Sequence, residues 1–78
     1  MSFAYNENAC RVVIDVFSKR LERIRNDIEF LERERTGTSE LAAHYAISEA
    51  IGRLEFDRSC AELKIKEMQT YLDQSPNA

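Results

Sequence analysis

Proline occurs once and glycine twice in 78 residues, so the breakers that punctuate sheets and loop-rich folds are scarce. Cysteine occurs only at Cys10 and Cys60, too few for a disulfide scaffold. With no visible signal segment, the two thiols are expected to be reduced and the location cytoplasmic. No apolar run is long enough to span a bilayer, and no membrane partner is expected. Neither sign of charge prevails: 11 basic and 14 acidic residues give a formal net charge of −3, interleaved throughout. Binding of duplex DNA by bulk charge is therefore disfavoured, while a local basic stripe is still allowed. Histidine occurs once, at His44, so a zinc site has too few ligands. There is no glycine-rich phosphate loop, no nucleophile with a positioned base and no metal-ligand spacing. Catalytic, cofactor and metal residues are accordingly expected to be absent, and the chain is read as a non-enzyme. Its many carboxylates serve solubility and i,i+4 pairing.

What is present is helix former. The composition implies an all-α fold of one domain, residues 1–78. "RTGTSEL" is the loop candidate, with Gly37 expected in the left-handed conformation that ends a helix. Thr38 or Ser39 would cap the next helix, with Glu40 in its first turn. Pro76 biases Ser75 out of α geometry and stops the second helix. Asn6 or Asn8 would cap the first. The expectation is a helix over about 8–35, a turn at 36–39 and a helix over about 40–74. Phe3 and Tyr5 precede the first helix, where they would cover its apolar end or line a site there.

The apolar residues are spaced for a seam. Cys10, Ile14, Phe17, Leu21, Ile24, Ile28 and Leu31 follow alternating steps of four and three, as in a coiled coil. Ile47, Ile51, Leu54, Arg58, Ala61, Ile65, Met68 and Leu72 repeat the pattern, broken only by Arg58. Folded about the turn, residue i would face roughly residue 75 − i in an antiparallel two-helix hairpin. Ile28 would then meet Ile47, Leu21 would meet Leu54, and Cys10 would meet Ile65. Arg11 would reach Glu62, and Arg20 would reach Asp57. Arg58 either forms a polar layer or snorkels toward Glu55 or Glu62. His44 is read as structural, near the turn and facing Leu31. In this register the two cysteines lie beyond disulfide reach within one chain, and both are read as small buried thiols. A bridge between subunits stays open.

The stretch "RVVIDVF" holds more apolar residues than one seam uses. Val12 and Val16, with Ala9, form a second stripe roughly 100° around the helix. Phe56, Cys60 and Leu63 form a matching one on the second helix, both at the open end of the hairpin. Water-exposed side chains of this size forfeit ~1.5–3 kcal/mol each. The implied remedy is a homodimer forming a four-helix bundle, with Val12, Val16, Phe56, Cys60 and Leu63 at its interface. Gly52, just before Phe56 on the same side, would let a neighbouring backbone approach.

Toward the turn the first stripe becomes Lys19, Arg23, Asn26, Phe30 and Arg33. Three bases, an amide and an aromatic on one face suit an RNA or nucleotide phosphate with a stacked base. Glu22 and Glu29 beside the stripe oppose that reading. The expected function is a small protein-binding regulator or adaptor, of the kind phage or accessory bacterial elements carry. Its partners would be itself and another protein. An RNA- or nucleotide-binding hairpin dimer is the alternative, and an enzyme assembled between subunits is a third class. Plasmid RNA-binding regulators and sporulation phosphatases share the helical-hairpin outline. The phosphatases' Ser–x–x–Leu–Asp pattern is absent, since "SCAEL" from Ser59 has different spacing and lacks the Asp.

Overall fold

A computed structural model describes residues 6–74. They form two helices, α1 (Glu7–Gly37) and α2 (Leu41–Gln74), packed as a hairpin through the connector Thr38–Glu40. No strand occurs among the described residues. The hairpin measures 57 × 18 × 14 Å, a length set by the 34-residue α2 at ~1.5 Å per residue. The residues around Phe3, Tyr5, Ser75 and Pro76 lie outside those described, and with them the N-terminal cover and the proline stop.

Asn6 caps α1. Its Oδ1 accepts the Ala9 N–H at 2.6 Å, and its carbonyl accepts the Cys10 N–H at 3.1 Å. The first bond satisfies a donor that the first turn would otherwise leave open, and the second is the first rung of the helix. Glu7 adds negative charge at the positive end of the helix dipole and receives Arg11 at 2.7 Å.

The other end of α1 differs from expectation. Gly37 is still helical, and no glycine has a positive φ among the described residues. The helix ends one residue later, where Thr38 is extended (φ −109°, ψ 140°) and donates its N–H to the Arg35 carbonyl at 3.5 Å. A Cβ at Gly37 would meet nothing within 4 Å. Gly37→Ala should therefore stabilise the protein by about 0.4–1 kcal/mol, read as a rise in melting temperature. A comparable loss would mean that the left-handed conformation is required there.

Connector geometry also moves the register. The Thr38 hydroxyl accepts the Glu40 N–H at 3.3 Å, and the Glu40 carbonyl receives the first helical bond of α2 from His44 at 3.0 Å. His44 Nε2 donates to the Thr38 carbonyl at 2.8 Å. That bond satisfies a connector carbonyl beyond the end of α1 and gives the single histidine its structural role. The three-residue connector is centred on Ser39, whereas the 75 − i rule places the fold point before Thr38. The pairings slide in the same direction, and by more than the connector centre alone accounts for. Ile24, Ile28 and Ile51 form the buried cluster, with Leu31, Ile47 and Leu54 packed against it. Glu62 is reached by Arg25 at 3.6 Å rather than by Arg11. Arg20 lies over the Phe17 ring at 5.1 Å; no ion pair joins it to Asp57 among the described residues. Arg35 donates to Ser48 Oγ across the helices at 3.2 Å.

Seam positions supply every buried side chain described. Leu21, Ile24, Ile28 and Ile51 lie toward the connector, and Cys10, Ala61 and Met68 toward the open end, the last three only 1% exposed. None of the buried residues is polar or charged. Arg58 stays half-buried and donates to Glu55 at 2.9 Å, so the guanidinium leaves the seam while its stem packs there. Cys60 departs from expectation: Cys10 is buried, but Cys60 is exposed, and both are free thiols. Cys60 is not a seam residue, and a two-helix layer has nothing else to cover it.

Candidate functional site

A helix advances ~100° per residue, so two outward faces follow from the seam positions. On α2 the residues nearly opposite Ile51, Leu54 and Arg58 are Leu41, Tyr45, Gly52, Phe56, Cys60, Leu63 and Tyr71. All are exposed, with Leu41, Tyr45, Phe56 and Leu63 between 67% and 71%. The stripe runs from the connector to the last turn of α2, not only along the open end. With the exposed Glu49 and Glu67, which share this face, its steps are threes and fours legible in the sequence. Leu41 and Tyr45 lie near the connector and Tyr71 in the last turn of α2, and they join the face only when the whole helix is followed.

On α1, Val12 and Val16 stand two residues beyond Cys10 and Ile14, hence ~200° away rather than ~100°. They are 54% and 50% exposed. Because the seams face each other, the Val12–Val16 stripe and the Phe56–Leu63 stripe look outward on opposite sides of the hairpin.

The basic face continues the α1 stripe. Lys19 is held by Asp15 at 3.0 Å and Arg33 by Glu29 at 3.0 Å, each an i,i+4 pair on its own helix. Arg23 has no ion pair among the described residues. Asn26 and Phe30 are exposed. These five residues share one face, as their spacing requires, but two of the three cations already carry a carboxylate. Arg23 also lines an open interhelical groove of about 330 Å³ with Phe17, Asp27, Leu54, Asp57 and Cys60. With Arg20 the groove carries two bases against two acids, so it offers no concentrated charge of one sign.

Among the described residues no three His, Cys, Asp or Glu side chains come together as a metal site. No described helix is long and apolar enough to cross a membrane. Comparison of the chain with protein-family models, curated proteins and solved structures finds no match.

Proposed function

We propose that this protein is a small non-enzymatic regulator or adaptor that self-associates into a helical bundle and acts by binding another protein. The observation that carries the reading is the α2 stripe. Large apolar side chains exposed along a whole helix forfeit ~1.5–3 kcal/mol apiece until something covers them. A second hairpin packed against that face is the simplest cover. Its candidate interface residues on α2 are Phe56, Cys60 and Leu63, while Val12 and Val16, on the opposite side of the hairpin, are left for a second interface or the partner protein. A cytoplasmic location suits two free thiols, one of them exposed.

A second reading, RNA or nucleotide binding through Lys19, Arg23, Asn26, Phe30 and Arg33, is favoured by the unpaired Arg23 and the exposed Phe30 ring. The Asp15 and Glu29 pairs weigh against it, since phosphate would have to displace a carboxylate from each of two cations. Neutralising Lys19, Arg23 and Arg33 together should leave the oligomer intact, because exposed pairs contribute only ~0–1 kcal/mol. In a pull-down with the natural protein partner, Phe30→Ala should weaken capture and the triple variant should not. Tight binding of single-stranded RNA that weakens steeply with salt and vanishes in the triple variant would establish the second reading instead.

A further inference from the structure

We propose that the α2 stripe is covered by the same stripe of a second copy, the two α2 helices running antiparallel about a two-fold axis at Phe56. This rests on the self-association reading above and deepens it by naming the partner of that face and its geometry.

The first observation is the spacing. The outward face of α2 runs Leu41, Tyr45, Glu49, Gly52, Phe56, Cys60, Leu63, Glu67 and Tyr71. Counted away from Phe56 in either direction, the steps are four, three, four and four. A two-fold axis at Phe56 therefore brings every stripe position level with another stripe position of the copy. Phe56 meets its own equivalent, Leu41 lies level with Tyr71, and Glu49 with Leu63. Tyr45 lies level with Glu67, where a phenol can donate to a carboxylate.

Charge selects the direction. In a parallel, in-register pair, Glu49, Arg53, Asp57 and Glu67 would each lie beside an identical charge, which is unfavourable. In the antiparallel pair, Arg53 lies within about two residues, ~3 Å along the axis, of the level of the Asp57 carboxylate of the copy. Symmetry makes that contact twice, once on each side of the Phe56 pair. Among the described residues Arg53 pairs with the exposed Glu49 on its own helix, at 3.1 Å, and is itself exposed, so it is accessible to a second carboxylate.

Gly52 supplies the third observation. It lies inside a long helix, exposed, with nothing within 4 Å of where its Cβ would stand. Nothing in one hairpin requires a glycine there, although glycine disfavours a helix interior. In the antiparallel pair Gly52 lies level with Cys60 of the partner subunit, where a missing side chain lets the helices close on the sulfur.

The proposal is tested on the full chain carrying Gly52→Cys, oxidised with diamide, which accepts the two thiol hydrogens as the disulfide forms. The expected product is a covalent dimer of twice the 9.1 kDa chain, whose peptide map links position 52 to Cys60. It should be lost when Cys60→Ser is added. The wild type should give no cross-link, because like positions lie eight residues, ~12 Å, apart along the axis, beyond disulfide reach. Links joining 52 to 52 or Cys60 to Cys60 would overturn the antiparallel geometry. No cross-link in a variant that sediments as a dimer would also overturn this pairing and leave self-association standing. A folded monomer would overturn both.

Discussion

Phe56→Glu should convert the oligomer to monomer and remove much of the helicity in the same step. The ring is 69% exposed in one hairpin, so a single chain would barely register the change. The large effect arises only if that surface is covered by another chain, where the substitution removes apolar burial and strands a carboxylate in an apolar contact. Loss of the oligomer should carry the helices with it, since a chain this short buries little of its own surface. Val16 looks outward on the opposite side of the hairpin, outside the α2 pairing, so Val16→Glu should leave that dimer intact. Solvent-facing Glu22→Gln should change neither mass nor melting. Light scattering and far-ultraviolet circular dichroism on the three variants check this. Unchanged mass and melting for Phe56→Glu would show that the stripe is not an interface.

Ile28→Ala should have the largest effect on the hairpin itself. Ile28 is 6% exposed and belongs to the one buried cluster described, with Ile24 and Ile51. Truncating such a side chain costs about 2–5 kcal/mol through lost transfer energy and the cavity left behind. Small domains have only ~5–15 kcal/mol in total, so the midpoint of chemical denaturation should fall steeply. Because folding and association are coupled, the variants are compared at one protein concentration, where Ile28→Ala should lower the midpoint while keeping the dimer mass and Phe56→Glu should lose that mass. A loss below 1 kcal/mol for Ile28→Ala would place the cluster outside the cooperative core.

The seam was legible because burial on a helix is periodic. Cys10, Leu21, Ile24, Ile28, Ile51, Ala61 and Met68, all buried, sit on the predicted steps of four and three. Register was not legible, because it depends on backbone angles at a few connector residues. Gly37 reads as a stop yet stays helical, and the extended Thr38 moves the fold point to Ser39. The cross-helix contacts are displaced further still, with Arg25 at Glu62 and Arg35 at Ser48. Cys60 looks buried by residue type, but its burial is decided by the missing third layer, which one chain does not contain. The α2 stripe was half legible for a related reason. Phe56, Cys60 and Leu63 stand out as a local cluster, whereas Leu41, Tyr45 and Tyr71 join them only when the whole helix is treated as one face.

The most direct measurement is sedimentation equilibrium of the purified wild-type chain at micromolar concentration. A helical species at twice the 9.1 kDa chain mass or a higher multiple, dissociating only with loss of helicity, is the expected result. A stable, fully helical species at the mass of one chain would contradict it, because the exposed stripes of α1 and α2 would then need no cover.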